Sequence, residues 1–193
     1  QITFFSKERR PDKLIMAYND KARIENLVGN YNESIDAYLA VQKNAKLESN
    51  NYDQIFANIK IANNYIDLNE IEVGLELLNE SLNMINSKYD EKQLSEPSYH
   101  KLLYNYYESL AFLEFRKNNL ELSELNSLLA IESIDNYINK GKISRSAENR
   151  FKSLTLLCRI ILVQCKLKLN NAKIANELLL EVLQNIEEWG LNY

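Results

Sequence analysis

Residues 29–41 read GNYNESIDAYLAV. A residue suited to ending a helix (Gly29) is followed two places on by an aromatic. Ser34, Ile35, Tyr38 and Val41 then recur at helical spacing. The same order returns three times: NEIEVGLELLNESL from Asn69, NNLELSELNSLLAI from Asn118 and NNAKIANELLLEVL from Asn170. Each starts on glycine or asparagine, the residues that best tolerate the left-handed backbone closing a helix. An apolar or aromatic residue follows (Tyr31, Ile71, Leu120, Ala172), and a small one comes three further on (Ser34, Gly74, Ser123, Ala175).

Twelve residues before each small residue stand Ala22, Ala62, Ala111 and Val163. Small residues on two successive helices joined by a tight turn let the backbones approach closely and antiparallel. Larger apolar residues fill the rest of the packed face, in the second pair Ile61, Tyr65, Leu68, Leu75, Leu78 and Leu82. The spacing predicts helix pairs over roughly 12–47, 52–86, 97–139 and 146–189, the last opening with one helix over 146–169. Pro97 suits a first helical turn, and SKYDEKQLSE (87–96) reads as the longest polar loop. The exposed face takes the remaining polar residues, Asn64 among them. Gln1–Lys7, with Phe4 and Phe5, reads as the end of a preceding second helix.

These units resemble tetratricopeptide repeats, most clearly in NIKIANNYIDLNEIEVGLELLNESL and GNYNESIDAYLAV. The fourth unit departs from that pattern, with Val163 for a small residue and Lys166 for a tyrosine. No unit carries the family's terminal proline, and the recurrences of 40, 49 and 52 residues exceed the family's 34. The resemblance implies an all-α, right-handed solenoid of about four antiparallel helix pairs. It implies a single repeat domain over 1–193 belonging to a longer protein.

Bulk properties agree with helices. The chain has 193 residues, 46% hydrophobic and 26% charged, with four glycines and two prolines, too few for the turns of an all-β fold. Its net charge of −4 is spread without blocks, so no basic stripe points to nucleic acid. The abundant asparagine reads as compositional bias, and Gln1 in place of methionine points to a processed or excised chain. Ser153–Leu169, the most apolar run, is interrupted by Arg159, Gln164, Lys166 and Lys168, short of the roughly 18 apolar residues of a membrane span.

Cys158 and Cys165 sit seven residues apart on one helix. Their Cα atoms are therefore roughly 10 Å apart, beyond the roughly 7 Å a disulfide bridges. They read as free, buried thiols, which favours a reducing, cytoplasmic compartment; a periplasmic sensory region is the alternative.

Chemistry is sparse. His100, the single histidine, has no local nucleophile, acid or orienting partner. No metal-ligand spacing or phosphate-cradling glycine loop appears. The tyrosine-rich YNYYESLAFLEF has helical spacing and reads as core. An enzyme is not expected, nor is a cofactor or a metal.

Because the first helix of each pair lines the concave surface in the tetratricopeptide family, the resemblance implies a groove. It would hold Asn19 and Arg23, Lys60 and Asn63, and Asn105 and Glu108. Carboxamides can pair with the N–H and C=O of an extended peptide, and Arg23 and Lys60 could hold a carboxylate. The residues of the family's chaperone-tail clamp are not reproduced. In the fourth unit Leu157, Ile160 and Ile161 would form apolar surface needing a cover, either the last helix or a second subunit in a homodimer. The implied function is a non-catalytic protein- or peptide-binding scaffold, a sensory or interaction module of a bacterial regulatory protein. The alternatives are the arm of a peptide-pheromone-responsive transcription regulator and a structural assembly adaptor.

Overall fold

The computed structural model describes residues 10–141 and 143–189. Among them there is no strand. The helices are α1 (Pro11–Leu27), α2 (Tyr31–Leu47), α3 (Asn51–Asp67), α4 (Ile71–Asp90), α5 (Glu96–Arg116), α6 (Leu120–Gly141), α7 (Arg145–Lys152), α8 (Leu156–Lys168) and α9 (Ala172–Glu188). A single 3₁₀ turn, Ser153–Thr155, joins α7 to α8. The chain divides into two compact units at Ser95/Glu96. In the first, α1 to α4 pack in consecutive pairs. In the second, α5 packs on α6, α6 on α8 and α8 on α9. The chain is an all-α protein of consecutively paired helices.

One backbone turn is used throughout. Gly29, Ser49, Asn69, Lys92, Asn118 and Asn170 all have positive φ, between 52° and 83°. At each, the following N–H reaches back five residues, as in Asn30 to Glu25 at 2.9 Å, Glu70 to Tyr65 at 2.8 Å and Asn119 to Glu114 at 2.9 Å. The left-handed residue itself donates three back, Asn69 to Ile66 at 3.1 Å for example. This pair of bonds is the Schellman closure, which satisfies carbonyls a helix end leaves orphaned. Four of the six positions are the glycine and asparagines that open the repeats. Ser49 and Lys92 do the same without a sequence signal.

The small pairs meet as their spacing requires. Ser34 Oγ donates to the Ala22 carbonyl at 2.9 Å, and Ser123 Oγ to that of Ala111 at 2.8 Å. At Gly74 a Cβ would stand 3.0 Å from the Ala62 carbonyl and 2.6 Å from Ile66 Cγ1, so only glycine fits without displacement. Val163 and Ala175 are buried at the fourth crossing. Lys166, in the place of the family's tyrosine, bonds the Glu124 carboxylate at 2.6 Å.

Three expectations need correction. Helix α4 runs to Asp90, so the polar loop shrinks to 91–95, where Leu94 is buried. Its polar residues are the solvent side of a helix, with Lys88 paired to Glu91 at 3.0 Å. The expected helix over 146–169 is broken at Ser153–Thr155. There Ser153 Oγ and Thr155 Oγ1 donate to the Arg150 and Lys152 carbonyls, both at 2.7 Å, drawing the backbone into i→i−3 geometry. Asn64 is also not exposed but 1% accessible. The reading of Gln1–Lys7 lies outside the described residues.

Candidate binding face

Helix α3 has neighbours on both sides, and each joint is closed by a buried asparagine. Asn64 donates to Ser34 Oγ (3.1 Å) and the Lys60 carbonyl (2.9 Å), and accepts from Asn26 Nδ2 (2.9 Å). Asn58 donates to Ser81 Oγ (3.0 Å) and the Leu77 carbonyl (3.3 Å), and accepts from Gln42 Nε2 (3.1 Å). Both amides are fully satisfied, which burial of so polar a group demands. They tie α1, α2 and α4 to α3 and so hold the side chains beside them in place.

Beside this network lie Asn19 and Arg23, the first-unit residues singled out from the sequence. With Asn26 they follow one another at i, i+4 and i+7 along α1. Arg23 is exposed and lies 3.6 Å from Asp20. It also stands close enough to act on the Tyr38 phenol. Burial pushes that phenol up to about 12, and the guanidinium partly offsets the rise. The Tyr38 ring meets Phe56 edge to face, with centroids 6.5 Å apart, and Lys60 Nζ lies 5.4 Å from the Phe56 centroid. A continuous series thus runs from guanidinium through two rings to ammonium. The Asn63 side chain, half-buried on α3, has no hydrogen bond with another described residue. The Asn19 side-chain oxygen is buried without a partner, a cost the site carries.

In the second unit the predicted residues are already engaged. Asn105 is 5% exposed and donates to the Lys101 carbonyl at 2.8 Å. Glu108 faces the Tyr104 hydroxyl, which also faces the Leu154 carbonyl at 2.8 Å; one phenol proton serves the two acceptors. Burial raises the Tyr104 pKa far above its ordinary value. Leu157 and Ile160 are exposed, at 44% and 39%, but Ile161 turns inward against Ala111 and Cys165. One residue along a helix is a rotation of about 100°, enough to carry Ile161 from the outer face to the core.

The thiols are free and buried as expected. Burial pushes Cys158 up to about 12, which keeps it a protonated thiol at neutral pH rather than a nucleophile. His100 packs edge to face on Tyr99, and desolvation lowers its pKa. Among the described residues no three His, Cys, Asp or Glu side chains gather as metal ligands, and no helix is long and apolar enough to cross a membrane. An open groove of about 440 Å³ runs between α2, α3 and α4, lined by Gln42, Lys43, Lys46, Glu80 and Met84 among others.

The buried asparagines were missed in the sequence although a signal was present. Ala57, Ile61, Asn64 and Leu68 form one i, i+4, i+7, i+11 row, so Asn64 shares the face of residues read as core. Compared with known proteins, the chain matches no family model and no curated protein.

Proposed function

We propose that this chain is a non-catalytic, tetratricopeptide-like scaffold that binds an acidic segment of a protein or peptide as the interaction module of a regulatory protein. The observation that carries the reading is the series Arg23, Tyr38, Phe56, Lys60 on the first unit, with the uncommitted Asn63 amide on the same helix as Lys60. Two cations with the half-buried Phe56 ring between them suit a carboxylate-bearing segment with an apolar neighbour, and a free carboxamide suits its backbone. Tyr38, buried in the core, supports the Phe56 ring edge to face, so the face is built before the ligand arrives, which lowers the ordering cost of binding. The two free, buried thiols fit a reducing compartment.

The test is fluorescence anisotropy with a panel of labelled peptides bearing Asp, Glu or a free C-terminal carboxylate beside an aliphatic residue. Paired controls carry Asn, Gln or a C-terminal amide. Binding of the acidic members alone is expected, weakened by about 1–3 kcal/mol in Asn63→Ala and in Arg23→Ala, with the helical content unchanged. Equal binding of acidic and neutral peptides, or no effect of either substitution, would remove the proposal.

A further inference from the structure

Helix α3 shows which surface an interior helix presents to the pair before it. Phe56 meets Tyr38, Asn64 bonds Ser34, and Leu68 packs on the core of that joint. Ala22 and Ala62 hold the same place in the repeat, so the matching residues on α1 and just after it lie 40 earlier: Met16, Ile24 and Val28. All three are apolar, and they are 61%, 58% and 65% exposed. Asp20 stands where α3 has Lys60, a residue that stays half-buried, so its charge falls on the rim of such a surface.

Helix α9 presents the opposite half. Ser34 and Ala175 hold the same place, so Tyr38 corresponds to Leu179 and Gln42 to Leu183. Tyr38 is 6% exposed beneath α3, and Ser127, its counterpart on α6, is 0% exposed in the joint with α8; Leu179 is 44% exposed and Leu183 52%. This is not ordinary surface leucine. Leu180, one position further, is 53% exposed, but its counterparts Leu39 and Leu128 are also exposed, at 48% and 50%, although a helix follows each of them. The positions uncovered on α9 are therefore the ones that a following first helix covers elsewhere.

We propose that the chain associates head to tail with second copies of itself, the α1 face of one copy packing on the α9 face of the next in the register of α3 on α2. The chain carries both halves of a joint that it already makes internally, and both halves are apolar. Because the two surfaces differ, the contact is heterologous and adds copies in series. The inference uses residues outside the proposed peptide face and stands or falls apart from it.

The experiment is sedimentation velocity over a concentration series with the 193-residue chain, Ile24→Lys, Leu179→Lys and Leu180→Lys. The substituted residues are exposed, so circular dichroism should show unchanged helix. The wild type and Leu180→Lys are expected to grow past the dimer with concentration, and Ile24→Lys and Leu179→Lys each to stay monomeric. A mixture of those two monomers should form a one-to-one dimer and nothing larger, because one intact copy of each face remains. A wild type monomeric at every concentration overturns the proposal. So does a closed dimer that survives either substitution, or a mixture that stays monomeric.

Discussion

The joint between α2 and α3 and the joint between α6 and α8 occupy the same place in the repeat and are filled with opposite chemistry. In the first, Ser34 Oγ donates to the Ala22 carbonyl and accepts from the buried Asn64 amide. In the second, Ser123 Oγ donates to the Ala111 carbonyl, and the side chain in the place of Asn64 is Cys165, within hydrogen-bonding reach of that serine. The serine–carbonyl crossing is common to both. What lies on top of it differs: a carboxamide committed to three partners, or a small thiol that demands little. The crossing geometry is thus set by the small residues, and the layer above can be polar or apolar; in the second joint it even tolerates the buried Ser127 hydroxyl without a partner.

The largest effect should come from the crossings themselves. Ala62 is fully buried against Gly74, and Ala62→Leu should cost about 1–3 kcal/mol through overpacking. At the fourth crossing valine already fills this place, and Val163→Leu adds one carbon where Ala62→Leu adds three, so it should cost less. Chemical denaturation followed by circular dichroism checks the pair. Equal costs at the two sites would break the comparison between the alanine and the valine crossing.

The layer above the crossings should respond next. Asn64→Ala removes three hydrogen bonds, opens a small cavity and orphans an acceptor site on Ser34, at a cost of about 1–3 kcal/mol. Cys165→Ala leaves Ser123 bonded to Ala111 and should cost about 1 kcal/mol or less. If the cysteine change proves the more damaging, the amide is not what seals the first joint.

A smaller effect separates the units by pH. Tyr38 in the first and Cys158 in the second both have folded pKa values raised to about 12 by burial. Ordinary values are about 10 and about 8.5. Each group keeps its proton longer when folded, so its contribution is fully present below the unfolded pKa and is lost as pH rises through the folded one. Stability should therefore fall above about pH 8.5, first through Cys158 and from about pH 10 through Tyr38 as well. Cys158→Ala should flatten the earlier part of the decline in melts taken across this range, and an unchanged slope would contradict the assignment.

These contrasts also show what could be read from the sequence. The helix pairs, the turn within each pair and the first three crossings, small on both sides, were legible because each rests on a local signal: periodicity, a left-handed residue, or a spacing of twelve. Asn64 was not, since its polarity outweighed its place in the Ala57–Ile61–Leu68 row, and only the partners Ser34 and Asn26, distant in sequence, explain its burial. Ser49 and Lys92 were silent for a related reason, as neither residue type advertises positive φ. Of the proposed face, Arg23, Lys60 and Asn63 could be named from the repeat frame. The support that Tyr38 gives Phe56 could not, because it comes from a second helix, and the frame says only that Tyr38 lies in the core. Asn105 and Glu108 fit the frame equally well but are held by Lys101 and Tyr104, contacts that depend on rotamers.

Hydrogen–deuterium exchange of the whole chain, with and without the tightest acidic peptide of the panel, tests the binding account most directly. The account predicts slowed exchange confined to the first unit, in the stretch of α1 around Arg23 and of α3 from Phe56 to Asn63. Protection in the second unit, or at the α2–α4 groove around Gln42 and Met84 with α1 unaffected, would contradict it.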